Sequence, residues 1–383
     1  MINKDFYKLA EEDAESRGFN VDEVLACMER ALIMAFKKEH GNTSCRVEFR
    51  KDKNEILLYS VHKVVEEYTD YSKHDEDVEN VEAEKPVEEV KEEPAEPQYA
   101  EMLLADAKKI KSSYKVGDLV LQQENLKTYS RMTILAAGNQ YKQGVRTLER
   151  EKAYLYFKDF ENEMINAEVS NVGDRFLTLK LGFNVTSILP VSDLLPNDHF
   201  AIGDFIKVYV KKVEHTTKEP KVVVSRTERN LVTRLLENYI PEIKNGIIEI
   251  KGIARDPGDR TKIAIYSNDE RVDAIGSCVG EGGSRIREIV NALGGEKVDL
   301  YKWSENPEEL IANSLQPASV TKVLNIDTKA KTSQVVVPDD HLSLAIGKSG
   351  QNVRLAVQSC GWKIDIMPTS VAFEKGLIQI LGL

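Results

Sequence analysis

The last third of the chain carries one pattern twice. Each copy reads as a helix, two strands, a short helix, a Gly-x-x-Gly tetrad, a longer helix and a final strand. The tetrads lie at 280–283 and 347–350, and each follows an apolar pair and precedes an amphipathic helix. Duplication of this kind is typical of two copies of one supersecondary unit. The sequence therefore predicts two tandem αββααβ modules within a multidomain α+β chain.

The tetrads predict a nucleic-acid site. Glycine has no Cβ, so a phosphate can lie against the backbone, and the N–H groups that begin the next helix point at it. The Gly-x-x-Gly loop of a KH domain clamps about four nucleotides of single strand in this way. The αββααβ order indicates KH domains of type II. The candidate RNA-binding residues are Gly280, Gly282, Gly283, Ser284, Arg285 and Arg287 in the first loop and Gly347, Lys348, Ser349, Gly350, Gln351, Asn352 and Arg354 in the second.

The second loop has the more favourable chemistry for RNA. Lys348 is the natural phosphate cation, Gln351 and Asn352 are predicted to reach base edges, and Arg354 is predicted to contact backbone or to stack. A solvated helix face explains Gln351 and Arg354 equally simply, and both interpretations stay open.

The first loop has the opposite charge. Glu281 offers a carboxylate where a phosphate would arrive, and like charges repel. Arg285 and Arg287, just beyond the tetrad, are expected to compensate. We therefore predict that the two KH modules are unequal and that the second is the stronger clamp.

Enzymatic motifs are incomplete. The Gly-Lys-Ser of the second tetrad resembles the end of a phosphate loop, but the required earlier glycine is Leu342 here. The third glycine of a dinucleotide fingerprint would fall at Arg285. The four cysteines form no C-x-x-C pair, and the six histidines lack metal-ligand spacing. We expect no catalytic residue, no metal and no cofactor, and therefore no enzymatic activity.

Residues 158–227 predict a small β-barrel. Five short β-rich runs are separated by turns that contain glycine or proline. The OB-fold is the usual five-stranded barrel of this size. Phe176 and Phe183 could stack RNA bases on its surface, and packing in its core explains each of them equally well.

Residues 1–157 predict a separate α/β module. The first forty residues show two helical patterns, and Gly41 ends the second. A hairpin follows, and a helix over 100–111, a short strand and a long helix near 125–157 complete the module. Between 66 and 96 the chain has 14 Asp/Glu and three Lys, which accounts for its net charge of -11. We expect 66–97 to be a mobile acidic insertion.

Membrane and secretory signals do not appear in the sequence. The longest apolar run covers only 31–36, and the N-terminus turns acidic at once. The scattered cysteines fit a reducing compartment. A cytoplasmic protein without a membrane partner is therefore expected.

The domain order and several sequence segments resemble the NusA family of bacterial transcription factors. The resemblance covers nearly the whole chain and is weakest over 66–130. Its most specific segments are ILP at 188–190, GDFIKVYV at 203–210, VDAIGSCVG at 272–280 and VVVPDDHLSLAIGKSGQNVRLA at 335–356.

The resemblance implies an RNA-binding transcription factor that modulates pausing, termination and antitermination. It implies an N-terminal RNA-polymerase-binding domain at 1–157, with its contact residues unknown. It also implies an OB-fold of the ribosomal-protein S-one type at 158–227, KH domains at 228–303 and 304–370, and a tail at 371–383. The implied partners are RNA polymerase and nascent single-stranded RNA, with other Nus factors and ribosomal proteins as further candidates, and a monomer is expected. The acidic C-terminal repeats of some family members are absent from the sequence, so we expect no autoinhibition through them.

Two other functions remain open. One is a free-standing RNA chaperone in ribosomal RNA maturation. The other is an accessory subunit of a ribonuclease complex, since such proteins also combine KH and S-one domains. Co-purification with RNA polymerase separates the first of these from a transcription factor.

Overall fold

The computed structural model describes residues 6–68, 98–216 and 219–378. The chain divides into two compact units, Met1–Glu151 and Lys152–Leu383. None of the helices in the described ranges is both long and apolar enough to cross a membrane. The predicted acidic insertion lies almost wholly outside the described residues.

The first unit is built on a small mixed sheet. Its helices and strands are α1 (Phe6–Arg17), α2 (Val21–His40), β1 (Cys45–Arg50), β2 (Glu55–Val65), β3 (Ala100–Leu103), α3 (Leu104–Ile110), β4 (Leu119–Gln123) and the first part of α4 (Arg131–Asp159). Asn20 and Glu23 form a capping box at the start of α2, which satisfies backbone N–H groups there. Strand β2 is central, antiparallel to β1 and β4 and parallel to β3.

Two helix predictions need correction. The segment expected to be helical over 100–111 begins with strand β3, in which Ala100 pairs with His62, and only its second part forms α3. Pairing with β2 overrides the local helical pattern, because the sheet supplies residues 100–103 with a distant partner strand that local propensity does not reflect. The long helix begins at Arg131, several residues later than expected, after a 3-10 turn over Leu126–Thr128.

The second unit opens with a five-stranded antiparallel barrel. Its strands are β5 (Met164–Val172), β6 (Phe176–Gly182), β7 (Val185–Pro190), β8 (Phe205–Glu214) and β9 (Lys221–Ser225), in the order β7-β6-β5-β8-β9. Ser187 Oγ on β7 donates a hydrogen bond of 2.6 Å to the Val222 carbonyl on β9, which brings the two edge strands together. Ala153 and Phe157, at the end of α4, belong to the barrel core. The predicted five-stranded OB-fold is confirmed.

Two KH domains follow, and each has one antiparallel and one parallel strand pair. The first contains α5 (Arg229–Tyr239), α6 (Pro241–Lys244), β10 (Ile248–Asp256), β11 (Arg260–Ser267), α7 (Ala274–Val279), α8 (Ser284–Ala292) and β12 (Lys297–Lys302). The second contains α9 (Pro307–Ser314), β13 (Lys322–Asp327), β14 (Thr332–Val337), α10 (Leu342–Ile346), α11 (Gln351–Cys360) and β15 (Lys363–Pro368). Their sheets have the orders β10-β11-β12 and β13-β14-β15, so the duplicated module is confirmed.

The segment expected as a tail from 371 onward begins within a helix. Helix α12 (Thr369–Glu374) follows β15 directly. Ala372 is fully buried against Val336 and Met367 of the second KH domain. This part of the chain therefore packs as part of that domain.

Side chains cross both domain junctions of the second unit. Leu195 and Tyr209 of the barrel belong to the core of the first KH domain, and Ala264 and Tyr301 of the first KH domain belong to the core of the second. The buried guanidinium of Arg226 donates to Asp198 and to the carbonyls of Lys207 and Ala292, which links the barrel to α8. Because cores and hydrogen bonds are shared, the relative positions of the three domains are set by packing.

Candidate nucleic-acid interface

The two Gly-x-x-Gly loops have the same backbone conformation. Gly280 and Gly347, at the ends of α7 and α10, have φ/ψ of 73°/171° and 76°/171°. The third residues, Gly282 and Ser349, have φ of 57° and 51°, and the last glycines have φ of 77° and 75°. Left-handed backbone of this kind favours glycine, and Ser349 adopts it at some cost in strain.

The first and last glycines of the tetrads have different steric roles. A Cβ on Gly347 would lie 2.8 Å from the backbone nitrogen of Asn352, and one on Gly280 would lie 2.8 Å from Arg285 Cγ. A Cβ on Gly350 would meet no atom of the described residues within 4 Å. The first glycine therefore permits the turn itself, whereas the last keeps an open surface that a phosphate can approach.

Arg285 in the first loop is committed to the fold. Its Nη1 donates to both carboxylate oxygens of Glu242, at 3.0 and 2.9 Å, and to the Ser277 carbonyl at 2.7 Å. The pKa of Glu242 is lowered by a hydrogen bond from its own backbone N–H and by this guanidinium. Glu281 is exposed beside this pair, and Arg287 is exposed on α8. Arg285 was expected to offset the negative charge of Glu281. Its guanidinium is already paired with Glu242, so less of its positive charge is available for this.

Cys278 lies directly under the first loop and is fully buried. Burial raises the pKa of its thiol to about 12. The thiol is therefore protonated at neutral pH, and Cys278 acts as a small apolar residue that supports the turn.

The second loop presents Lys348 to solvent, next to Ser349, which is also exposed. The side chains of Gln351 and Arg354, in the first turn of α11, contact the first KH domain. Gln351 Nε2 donates to Asp256 at 3.1 Å and to Asp259 at 2.7 Å, and Arg354 Nη2 donates to Asp256. Gln351 and Arg354 were interpreted either as RNA contacts or as part of a solvated helix face. Neither interpretation included the carboxylates of Asp256 and Asp259.

Asn352 differs most from its prediction as a base-reading residue. It is 3% exposed, and its Nδ2 donates to the carbonyls of Leu315 and Ala345, each at 3.0 Å, and of Leu344 at 3.4 Å. These bonds join α11 to α10 and to Leu315, the residue that directly follows α9. Because its amide donors are used inside the domain, we assign Asn352 a structural role.

The barrel carries a separate exposed face formed by β6 and β7. Alternate residues of β6, among them Leu177 and Leu179, point into the core, which leaves Phe176 and Lys180 outside. Ile188 on β7 is 59% exposed and lies across from Thr178. Phe176 is 41% exposed, so the interpretation that buries it in the core is wrong. Phe183 is half exposed, and its ring packs on Tyr156 at a centroid distance of 4.5 Å.

Sequence reasoning missed Glu242, Asp256 and Asp259. Each lies far along the chain from the loop residue that it contacts, so spacing carried no signal for any of them. One signal was present in the Asp-Pro-Gly-Asp run at 256–259, a typical tight turn that presents its end residues together. Within the described ranges, no group of three or more His, Cys, Asp or Glu side chains could hold a metal ion.

Comparison with protein-family models matches four consecutive segments. Residues 5–151 match the NusA N-terminal domain, 158–225 the S1 RNA binding domain, 226–303 the NusA-like first KH domain and 307–374 the NusA-like second KH domain. The fold and its loops thus define a multidomain protein with RNA-binding domains.

Curated relatives match almost the whole chain. The protein from Halalkalibacterium halodurans is 37% identical over 99% of this chain and 92% of its own length. Those from Bacillus subtilis and Thermus thermophilus are each 36% identical, over 95% and 97% of this chain and 90% and 92% of their own lengths. All three are named transcription termination/antitermination protein NusA. The chain belongs to the NusA family.

Proposed function

We propose that the chain is a transcription termination/antitermination factor. It binds nascent RNA with its second unit and RNA polymerase with its first, and it changes pausing and termination without catalysing a reaction itself. The main support is the similarity to NusA proteins over 99% of the chain, together with two Gly-x-x-Gly loops of matching conformation. The activity takes place in the cytoplasm and needs no metal or cofactor.

The proposed RNA surface comprises the open parts of both loops and the exposed barrel face. In the second loop, the Gly350 backbone and Lys348 receive phosphate, and the exposed Ser349 hydroxyl adds a donor. In the first loop, Gly282, Gly283, Ser284 and Arg287 have the corresponding role. Phe176 offers an exposed ring on which a base can stack. Arg285 and Asn352 support these surfaces from inside the fold.

The proposed polymerase contact lies in the first unit, where large apolar side chains are exposed. Met132 and Leu135, at the start of α4, are 67% and 54% exposed, and Leu119 and Leu121 on β4 are 48% and 42% exposed. Exposed apolar groups of this size mark protein interaction surfaces more often than RNA surfaces. A binding role for this unit therefore fits a protein partner.

An in vitro transcription time course tests the proposal. The lifetime of a hairpin-stabilised pause is measured with a bacterial RNA polymerase alone, with the full chain, and with Gly350→Asp and Gly350→Asn variants. We expect the full chain to change the pause lifetime. We expect Gly350→Asp to change the lifetime less than Gly350→Asn does. If the full chain leaves the lifetime unchanged and does not co-purify with polymerase, the proposal fails. Retained RNA binding would then favour the chaperone function.

A further inference from the structure

The second KH loop is in contact with an acidic turn of the first KH domain. This turn, residues 256–259, joins β10 to β11. Its Asp256 accepts hydrogen bonds from Arg354 and Gln351, and its Asp259 accepts one of 2.7 Å from Gln351. Both donors belong to the first turn of α11, directly after the Gly-x-x-Gly loop.

The turn is held rigidly by a buried ion pair. Glu296 and Arg255 are almost completely buried, and Arg255 Nη2 donates to Glu296 Oε2 at 2.8 Å. The same carboxylate accepts from the Gly258 backbone N–H at 2.8 Å and from the Thr261 hydroxyl. A turn with its backbone bound in this way cannot swing aside easily, so its carboxylates stay next to α11.

The surface around the second loop is therefore less positive than Lys348 and Arg354 alone would make it, because Asp256 and Asp259 lie next to α11. The side chain of Arg354 is 57% exposed and could attract a phosphate, but its guanidinium already donates to Asp256. Asp259 of the same turn accepts from Gln351, three positions before Arg354. An adjacent carboxylate offsets the attraction of a guanidinium for a second anion. Lys348 remains exposed in the loop.

We propose that Asp256 and Asp259 limit the affinity of the second KH domain for RNA phosphates and so make its binding depend more on the bases. The inference rests on the proposed RNA binding at the second loop. With Arg354 neutralised, a single strand gains little from its charge alone and must be held by contacts with the loop backbone and the bases. RNA selectivity is thus determined in part by residues of the neighbouring domain.

The alternative is that the carboxylates only join the two KH domains. A joining role predicts that their loss changes the stability of the chain, with little change in RNA affinity for variants that remain folded. The two explanations therefore differ in the direction of the affinity change and in its dependence on Arg354.

The test uses the full chain with Asp256→Asn and Asp259→Asn together, which preserves side-chain size and removes both charges. Glu305→Gln changes an exposed residue in the connection between the KH domains and is the control for loss of one negative charge away from α11. Binding is measured by fluorescence anisotropy with single-stranded RNAs of about eight nucleotides, enough for two KH loops. One RNA has a mixed sequence, and the others are homopolymers of the same length.

We expect the double variant to bind every RNA roughly two- to fivefold more tightly, the range that an exposed ion pair supports. The slope of log affinity against log salt should steepen by about 0.7 for the recovered phosphate contact. The spread of affinities among the RNAs should narrow. Adding Arg354→Ala should remove the gain, and Glu305→Gln should not reproduce it.

Unchanged or weaker binding by the folded double variant overturns the inference, and so does a gain that persists without Arg354. If the double variant unfolds, Asp256→Asn alone makes the same comparison, because Asp256 is the carboxylate to which Arg354 donates. Lys348→Ala separates this inference from the proposed function. If Lys348→Ala loses affinity and the Asp variants gain none, the inference is wrong and the proposed function stands. If Lys348→Ala has no effect on affinity, the proposed RNA binding at this loop is wrong.

Discussion

Gly252 of the first KH domain lies against the backbone of Ser359 in the second, so that a Cβ on Gly252 would be 2.0 Å from the Ser359 carbonyl oxygen. Gly252 follows an irregularity in the pairing of β10 with β11, and Ser359 lies near the end of α11. A hydrogen bond of 2.9 Å between the side-chain hydroxyls of Tyr301 and Ser359 joins the same two domains nearby. The absence of a side chain at Gly252 is therefore what permits the two KH domains to approach this closely.

Gly252→Ala is expected to destabilise the second unit. The new methyl group cannot be accommodated without moving the backbone of α11, and overpacking of this kind costs about 1–3 kcal/mol. Chemical denaturation followed by circular dichroism measures the loss. Gly138→Ala is the control, because a Cβ there meets no described atom within 4 Å and alanine favours a helix. Equal stability of the two variants would contradict the close packing at Ser359.

Stability should rise with pH because of Lys262. This lysine is 1% exposed, and its Nζ donates to the carbonyls of Ser314 and Gln316 at 2.8 and 2.7 Å. Burial lowers its pKa to about 8, whereas an unfolded lysine has a pKa of about 10.4. Between these values the unfolded chain binds more protons, so the cost of burying the charge is fully present below pH 8 and decreases as the pH rises.

The measurement is the free energy of unfolding of the wild type minus that of Lys262→Met, from about pH 7 to 10. We expect the difference to shift in favour of the wild type by at most about 3 kcal/mol over this range. Subtracting the variant removes the contributions of other groups that titrate there. A shift in the opposite direction would mean that the carbonyls of Ser314 and Gln316 hold Lys262 in its charged form.

Paired substitutions at the last glycine of each tetrad test the inequality of the two loops. Asp and Asn have nearly the same shape and tolerate a positive φ better than most residues, so their difference isolates charge. At Gly350 we expect Asp to bind RNA about fivefold more weakly than Asn, as for a screened surface charge. At Gly283 the difference should be smaller, because Glu281 already makes that loop acidic. Anisotropy with labelled single-stranded RNA provides the comparison, and a larger effect at Gly283 at equal unfolding temperature would make the first loop the principal clamp.

A fragment of the second unit should separate the two proposed binding activities. A fragment over 152–383 is expected to keep RNA binding and to lose polymerase association, measured by pull-down. One over 158–383 lacks Ala153 and Phe157, which are 2% and 1% exposed in the barrel core. Loss of a buried Phe side chain alone costs about 3–5 kcal/mol, so the shorter fragment should unfold at lower temperature. Polymerase captured by the longer fragment as well as by the full chain would contradict the division of labour.

Local features of the site could be read from the sequence, and partners from elsewhere in the chain could not. The loop conformation depends on glycines at fixed spacing, which is visible in the sequence. The role of Asn352 depends on which side of α11 faces α9 and α10, a property of the packed domain. The two partners of Gln351 come from a turn more than 90 positions away. The isolated glycine at 252 within a strand was a signal for close backbone approach, and its meaning required the position of α11.

The fold was predicted best where hydrophobic pattern and turn residues agreed. The barrel strands and both KH modules satisfy this condition. Strand β3 does not, because residues 100–103 have no partner in their own neighbourhood and pair with β2 across the acidic segment. Whether such a segment forms an edge strand depends on its pairing in the tertiary structure and not on its local propensity.

The contact between Gly252 and Ser359 has a consequence for the length of RNA that the protein can span. With no room for the KH domains to slide or rotate at this point, the separation between the two loops is a property of the folded chain, independent of the RNA. If both loops bind RNA as proposed, we expect two favourable segments of a transcript to be bound together only when the nucleotides between them match that separation. Shortening or lengthening this spacer would reduce binding even if both segments kept their sequence.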